Sequence, residues 1–326
     1  MDSSKESLAI NGNSGAKKIG AGILLSRLAG LLRESLLRSA LGLGPAADAF
    51  TAALRIPNLL QNLLGEGSLS SSFIPVYSKL LSEGKEKEAA NTAGAVASLL
   101  IVFTGVLTLL GIFFAKPIAK ILTPGFTSEK LDLTAELVKI TTAGIGLLVL
   151  AAWCLGVLNS HRKFFLSYVA PVVWNAAQIM ILFIAINENW NPTKTAKAAA
   201  WGLLIGGIAQ LLFQFSGVVK LRTKIQFSFS WKNVHVRDIL KRFTPAILGR
   251  GVIQISGYLD LVLASLLVTG AVAALMSAQV LYILPISLFA MSIAAAELPE
   301  MSRNLERENL HNRLDRGIKQ TSFLML

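Results

Sequence analysis

The chain has 326 residues, of which 53% are hydrophobic and 15% charged, with a net charge of +12 and a mean hydropathy of +0.58. A soluble domain carries about a quarter charged residues, so this composition excludes an ordinary soluble protein and points to an all-α polytopic membrane protein. The basic residues fall between apolar segments and in no recognisable nucleic-acid motif, which sets nucleic acid aside as a partner.

Met1 to Ala16 is polar and rich in Ser, Gly and Asn, and residues 1–17 read as a cytoplasmic tail. The tail lacks the basic start, short apolar stretch and small-residue cleavage site of a signal peptide, so the first apolar segment is expected to stay as a membrane helix. Crossing a core about 30 Å thick takes about 20 apolar residues. On that measure eight spans are predicted, at 18–40, 47–80 (broken by Pro57), 89–115, 132–158, 164–186, 197–220, 243–267 and 271–299. A ninth begins near Arg316, where the sequence turns apolar again. The spans group into an N-terminal lobe over 18–221, a basic and possibly amphipathic linker over 222–241, and a partial C-terminal lobe over 242–326.

The connections alternate in charge. With a cytoplasmic N-terminus, the cytoplasmic segments hold twenty basic residues, while the outer loops hold only Lys116, Lys120, Lys130, Lys194 and Lys197. That bias predicts the orientation. The linker also carries Phe227, Phe229 and Trp231, which suits either a segment lying on the inner leaflet among membrane lipids or an ordinary loop. Glycines in the first and sixth spans favour close helix approach, and Pro57, Pro171, Pro245 and Pro285 mark expected kinks. Cys154, the one cysteine, lies in an apolar run and reads as a small core residue.

Charges inside apolar spans cost about 2.5–3.5 kcal/mol each even on the mild insertion scale, so they call for a partner or a task. Arg27, Arg33, Arg38 and Arg55 all lie in the first two spans. At about 100° per residue, Arg27, Glu34 and Arg38 fall within about 40° of one another, and Arg33 points about 100–120° away from the first two. In a straight second helix Asp48, Arg55, Asn62 and Glu66 would share a face. Guanidinium groups suit phosphate because their planar fork donates paired hydrogen bonds and stays charged. Arg27, Arg33 and Arg55 are therefore candidate anion ligands, and Arg38 reads as an interface anchor. Asp48 is open between helix capping and a site role, and so is Glu66, flanked by Gly65 and Gly67. In the seventh span Arg250, Gln254 and Asp260 either line a cavity or hold helices together. With His161, His235 and His311 far apart and no Walker, GxSxG, HExxH or CxxC motif, neither catalysis nor a metal or other cofactor is expected.

Residues 26–80, SRLAGLLRESLLRSALGLGPAADAFTAALRIPNLLQNLLGEGSLSSSFIPVYSKLL, resemble the N-terminal signature of the MurJ/MviN family. The pieces SR-x-x-G, G-x-x-x-x-ADAF, the I-PN-LL run, the EG-x-x-S tract and F-IPVY stand in the family's order, and YVAPVVWNAAQI (168–179) agrees more weakly. The resemblance implies a monomeric, two-lobed flippase of lipid II, the undecaprenyl-pyrophosphate-linked disaccharide-pentapeptide, in the bacterial inner membrane. It implies that Arg27, Arg33, Asp48 and Arg55 occupy charged cavity positions and that Glu66 is the glutamate of the EG motif. Three departures stand against it. Relatives often carry arginine where this chain has Gln61 and Val280, with Gln279 replacing an aspartate beside the latter. Family members also have about fourteen helices, so the expectation is a fragment or a truncated copy. The rival functions are export of another prenyl-pyrophosphate-linked oligosaccharide and a non-transporting remnant.

Overall fold

The structure, a computed structural model, describes residues 22, 24–221, 225, 233–285 and 318. The expected tail at 1–17, most of the linker between 222 and 232, the end of the eighth span after 285 and the start of a ninth lie outside the described residues. Among the described residues every regular element is a helix. Helix α1 covers residues 24–41. It is followed by α2 (Pro45–Ala53), α3 (Arg55–Leu64), α4 (Glu66–Ser82), α5 (Glu86–Phe113), α6 (Ala115–Leu122), α7 (Ser128–Ala143) and α8 (Ile145–Ser160). Then come α9 (Phe164–Asn187), α10 (Pro192–Val219), α11 (Val234–Ser265) and α12 (Ala271–Pro285). Two compact units emerge, Met1–Ala273 and Ala274–Leu326; the second is represented chiefly by the body of α12.

Among the described residues, five segments are long and apolar enough to cross a bilayer: Glu86–Phe113, Ser128–Ser160, Phe164–Asn187, Pro192–Val219 and Val234–Ser265. Each overlaps a predicted span. The last begins nine residues before the expected 243, so Val234–Lys241 is continuous with the helix that follows it. Its start is set by Asn233, whose side chain accepts the His235 amide at 2.9 Å. The α10 start is built the same way, with Asn191 accepting from Lys194 and Pro192 at the first helical position.

The predicted 47–80 span is corrected most. It is three helices, broken at Leu54 and at Gly65, so the shared face expected of Asp48, Arg55, Asn62 and Glu66 does not exist. Asp48 is fully buried and Asn62 exposed. Pro57 is not the breaking point. It sits in the first turn of α3, where an absent amide costs least. At Gly65 a side chain would overlap the Gln61 carbonyl, which already accepts the Gly65 amide.

The core of the first unit holds Phe73, Tyr77, Trp153 and Leu158, with Val236 and Ile239 of α11 packed into the same cluster. Helices approach closely at small residues. An added Cβ at Gly202 would meet Gln178 and Ile181, and one at Gly217 would meet Leu158 and Leu166. Polar side chains bridge helices through backbone carbonyls: Trp153 Nε1 donates to Ala93 at 3.1 Å and Gln178 Nε2 to Ala199 at 3.0 Å. Large apolar side chains of α5, among them Phe103, Leu109 and Leu110, face outward, as a lipid-exposed surface requires.

Candidate functional site

The charged residues of the first two spans fall into distinct settings. On α1, Glu34 lies between two arginines. Its Oε1 accepts Arg38 Nε at 2.9 Å and Arg38 Nη2 at 2.7 Å, while Oε2 is 3.6 Å from Arg33 Nη2. Glu34 is thus shared, and the cluster of Arg33, Glu34 and Arg38 keeps one net positive charge. The Arg33 guanidinium sits 4.9 Å from the Trp174 ring of α9, and its Nε is buried with no hydrogen-bond partner among the described residues. Arg27 is partly buried two turns earlier on the same helix.

Arg55 opens α3 and turns toward α11. A Cβ added at Gly257 would lie 3.4 Å from its Nη1, and the Tyr258 hydroxyl donates to the Arg55 carbonyl at 3.2 Å. Gly257 and Tyr258 thereby give Arg55 both room and an anchor on the facing helix. Arg250, two turns earlier on α11, reaches the start of α4. Its guanidinium occupies the space that a side chain at Gly67 would fill. The EG motif therefore gives α11 a seat for a cation at the α3–α4 break. The Glu66 side chain lies outside the described parts of the structure.

Asp48 is held by partners within the protein. It is fully buried, and both carboxylate oxygens are engaged within the protein. Oδ2 accepts Lys130 Nζ and the Gly270 amide, each at 2.8 Å, and Oδ1 accepts the Ala273 amide at 2.9 Å. Asp48 caps a helix, but the helix is α12 rather than its own, whose N-cap is Gly44. Gly270 (φ +97°) can deliver its amide because it has no side chain; a Cβ there would overlap the Leu43 carbonyl. The partner of Asp48, Lys130, counted above with the outer-loop lysines, lies in the first turn of α7, buried against Asp48 and the Phe126 ring, 4.0 Å away.

Gln61 lies on α3 at the break, and Val280 is 38% exposed on α12. Among the described residues, no three His, Cys, Asp or Glu side chains gather where they could hold a metal. Sequence reasoning missed Trp174, Tyr258, Gly67 and Lys130. A tryptophan in an apolar span looks like core, and only the fold puts its face beneath a guanidinium.

The fold matches solved transporter structures. An inward-facing multidrug resistance MATE family transporter of the MOP superfamily aligns with a TM-score of 0.72 at 19% identity, covering 90% of this chain and 66% of that one. An outward-facing one aligns with a TM-score of 0.68 at 19% identity, covering 94% and 68%. The architecture is therefore the all-α polytopic fold that these structures share.

A family model described as lipid II flippase MurJ matches residues 37–326, and the chain belongs to that family. Probable lipid II flippases MurJ from Bdellovibrio bacteriovorus and Rhizobium tropici are similar to it. The first is 35% identical over 86% of this chain and 54% of its own length, the second 33% identical over 94% and 59%. That from Buchnera aphidicola is 32% identical over 86% and 55%. The chain thus spans a little over half the length of these relatives.

Proposed function

We propose that the full-length protein flips lipid II across the bacterial inner membrane by alternating access. Arg27, Arg33, Arg55 and Arg250 bind the pyrophosphate, and Glu66 serves the same cavity. The prenyl tail stays among membrane lipids, and the protein works as a monomer without cofactor, catalysis or nucleic acid. Its N-terminus is cytoplasmic, with residues 18–221 as one lobe, 222–241 as the linker and 242–326 as the start of the other. The observation that carries this reading is membership of the flippase family over residues 37–326. The setting of the arginines supports it: Arg33 and Arg55 lie between helices, and the Arg33–Glu34–Arg38 cluster retains a positive charge for an anion to neutralise. Asp48 stays in this account only as the residue that closes the helix ends around the cavity.

The test is translocation of lipid II by the full-length protein in vesicles. Arg33→Ala and Arg55→Ala are each expected to abolish most transport, and wild-type rates in both would remove the arginines from the mechanism. Gln61 and Val280 favour a second reading, transport of another prenyl-pyrophosphate-linked oligosaccharide. Faster transport of such a lipid than of lipid II would establish it.

A further inference from the structure

We infer that Trp174 is a positioning residue for Arg33, holding its guanidinium where the anionic head group of the substrate binds; the inference rests on the proposed role of Arg33. Two features fix the indole. Trp174 Nε1 donates to the Leu203 carbonyl of α10 at 3.3 Å. Gly206, one turn further along α10, lets the two helices close: a Cβ there would lie 2.9 Å from both Trp174 Cδ1 and the Trp174 carbonyl oxygen. The Arg33 guanidinium carbon then lies 4.9 Å from the ring centroid, within reach of the negative face of the ring.

Glu34 alone cannot do this. It is the adjacent residue on α1, its ion pair with Arg33 is long at 3.6 Å, and its other oxygen is held by Arg38 at 2.7 Å. A flexible arginine beside a shared carboxylate has many orientations; a planar cation over a locked ring has few. The ring face also leaves the edge of the guanidinium, where its N–H donors lie, free of competition from the platform. Arg33 Nε, buried and without a hydrogen-bond partner among the described residues, is one such donor. The tryptophan thus orders the cation without neutralising it, which a second carboxylate would do.

The experiment measures binding of a fluorescent lipid II analogue to the full-length protein in vesicles, for the wild type, Arg33→Ala, Trp174→Leu, Trp174→Phe, Gly206→Ala and the double variant Arg33→Ala/Trp174→Leu. Trp174→Leu should weaken binding about thirtyfold, the size of a desolvated cation–ring contact. Trp174→Phe should recover most of it, because a ring face remains while the indole N–H is gone. The double variant should bind no worse than Arg33→Ala alone, since both changes act through one cation. Gly206→Ala presses on both the indole and the Trp174 carbonyl, displaces the ring together with its stretch of α9, and should weaken binding in the same direction while the tryptophan itself remains. Equal losses from Trp174→Leu with and without Arg33 would make the tryptophan merely structural and overturn the inference, as would wild-type binding by both Trp174→Leu and Gly206→Ala. Wild-type binding by Arg33→Ala would overturn it too, and would mark the failure as lying in the assigned role of Arg33.

Discussion

The Thr141 hydroxyl on α7 donates to the Ala53 carbonyl, 3.2 Å away, and that carbonyl stands four residues before Pro57, whose ring nitrogen has no hydrogen to offer it. A proline in a membrane helix leaves such an acceptor exposed to a medium without water, so a neighbouring helix has to satisfy it. Thr141→Val removes the donor at nearly constant shape and should destabilise the full-length protein by about 1 kcal/mol. Thr141→Ser should cost far less. Thermal unfolding in detergent distinguishes the two, and equal melting temperatures for both variants would show that the bond contributes nothing.

Asp48 and Lys130 neutralise each other at 2.8 Å in a buried site, and Asp48 also holds the amides at the start of α12. Removing one partner of a buried pair costs about 3–5 kcal/mol, largely because the other charge is stranded. Asp48→Ala should therefore be strongly destabilising. Adding Lys130→Met should restore part of the loss by removing the stranded ammonium, but not the part due to the uncapped α12 amides. Asp48→Asn should fall between, keeping an acceptor for an amide while losing the ion pair. Measured stabilities in any other order would mean that Asp48 acts mainly as something other than anchor and cap.

At the opposite end of the helices, the Tyr77 hydroxyl meets His161 Nε2 at 3.1 Å. Burial holds the His161 imidazole below its ordinary range; Glu86 pulls it the other way and Lys163 adds to the lowering. Between that lowered value and about 6.5 the unfolded chain binds more protons than the folded one, so stability rises with pH across this window. The contribution is whole above about pH 6.5 and is lost as the pH falls toward the folded value. His161→Gln keeps an acceptor for Tyr77 without a titrating ring. Its melting temperature should fall less than that of the wild type between about pH 7.5 and pH 5.5. Parallel falls would assign the acid sensitivity to other groups.

How much of this could be read in the sequence depends on the kind of signal. The long apolar helices were legible because lipid imposes both length and composition, and α5, α9 and α10 begin and end within a few residues of expectation. The division of 47–80 was legible only in part. Gly65 and Gly67 on either side of Glu66 mark the break between α3 and α4, whereas Leu54, a residue with no breaking propensity, gives no sign of the break before α3. Helical phase paired Glu34 with Arg38 correctly but missed its contact with Arg33, since residues adjacent in sequence meet only when their rotamers turn toward each other. Asp48 misled for a related reason. A carboxylate near a helix start suggests a local cap, whereas its partners Lys130, Gly270 and Ala273 are distant in sequence and only the fold brings them there.

The seat of Arg250 on Gly67 gives the sharpest test of the α3–α4 break. Gly67 is the second residue of α4, outside the interior where glycine is penalised, so Gly67→Ala should by itself leave the stability of α4 close to wild type. The new methyl group would, however, take the space of the Arg250 guanidinium, which lies at the end of a flexible side chain and will swing away rather than break the helix. The expected outcome is a protein that unfolds no earlier than the wild type but transports lipid II as poorly as Arg250→Ala. Combining the two changes should add nothing, because both remove the same cation from the same place. Full transport by Gly67→Ala alongside a defective Arg250→Ala would show that Arg250 works without this seat. An additive loss would give Gly67 a task of its own, as backbone that the substrate itself approaches.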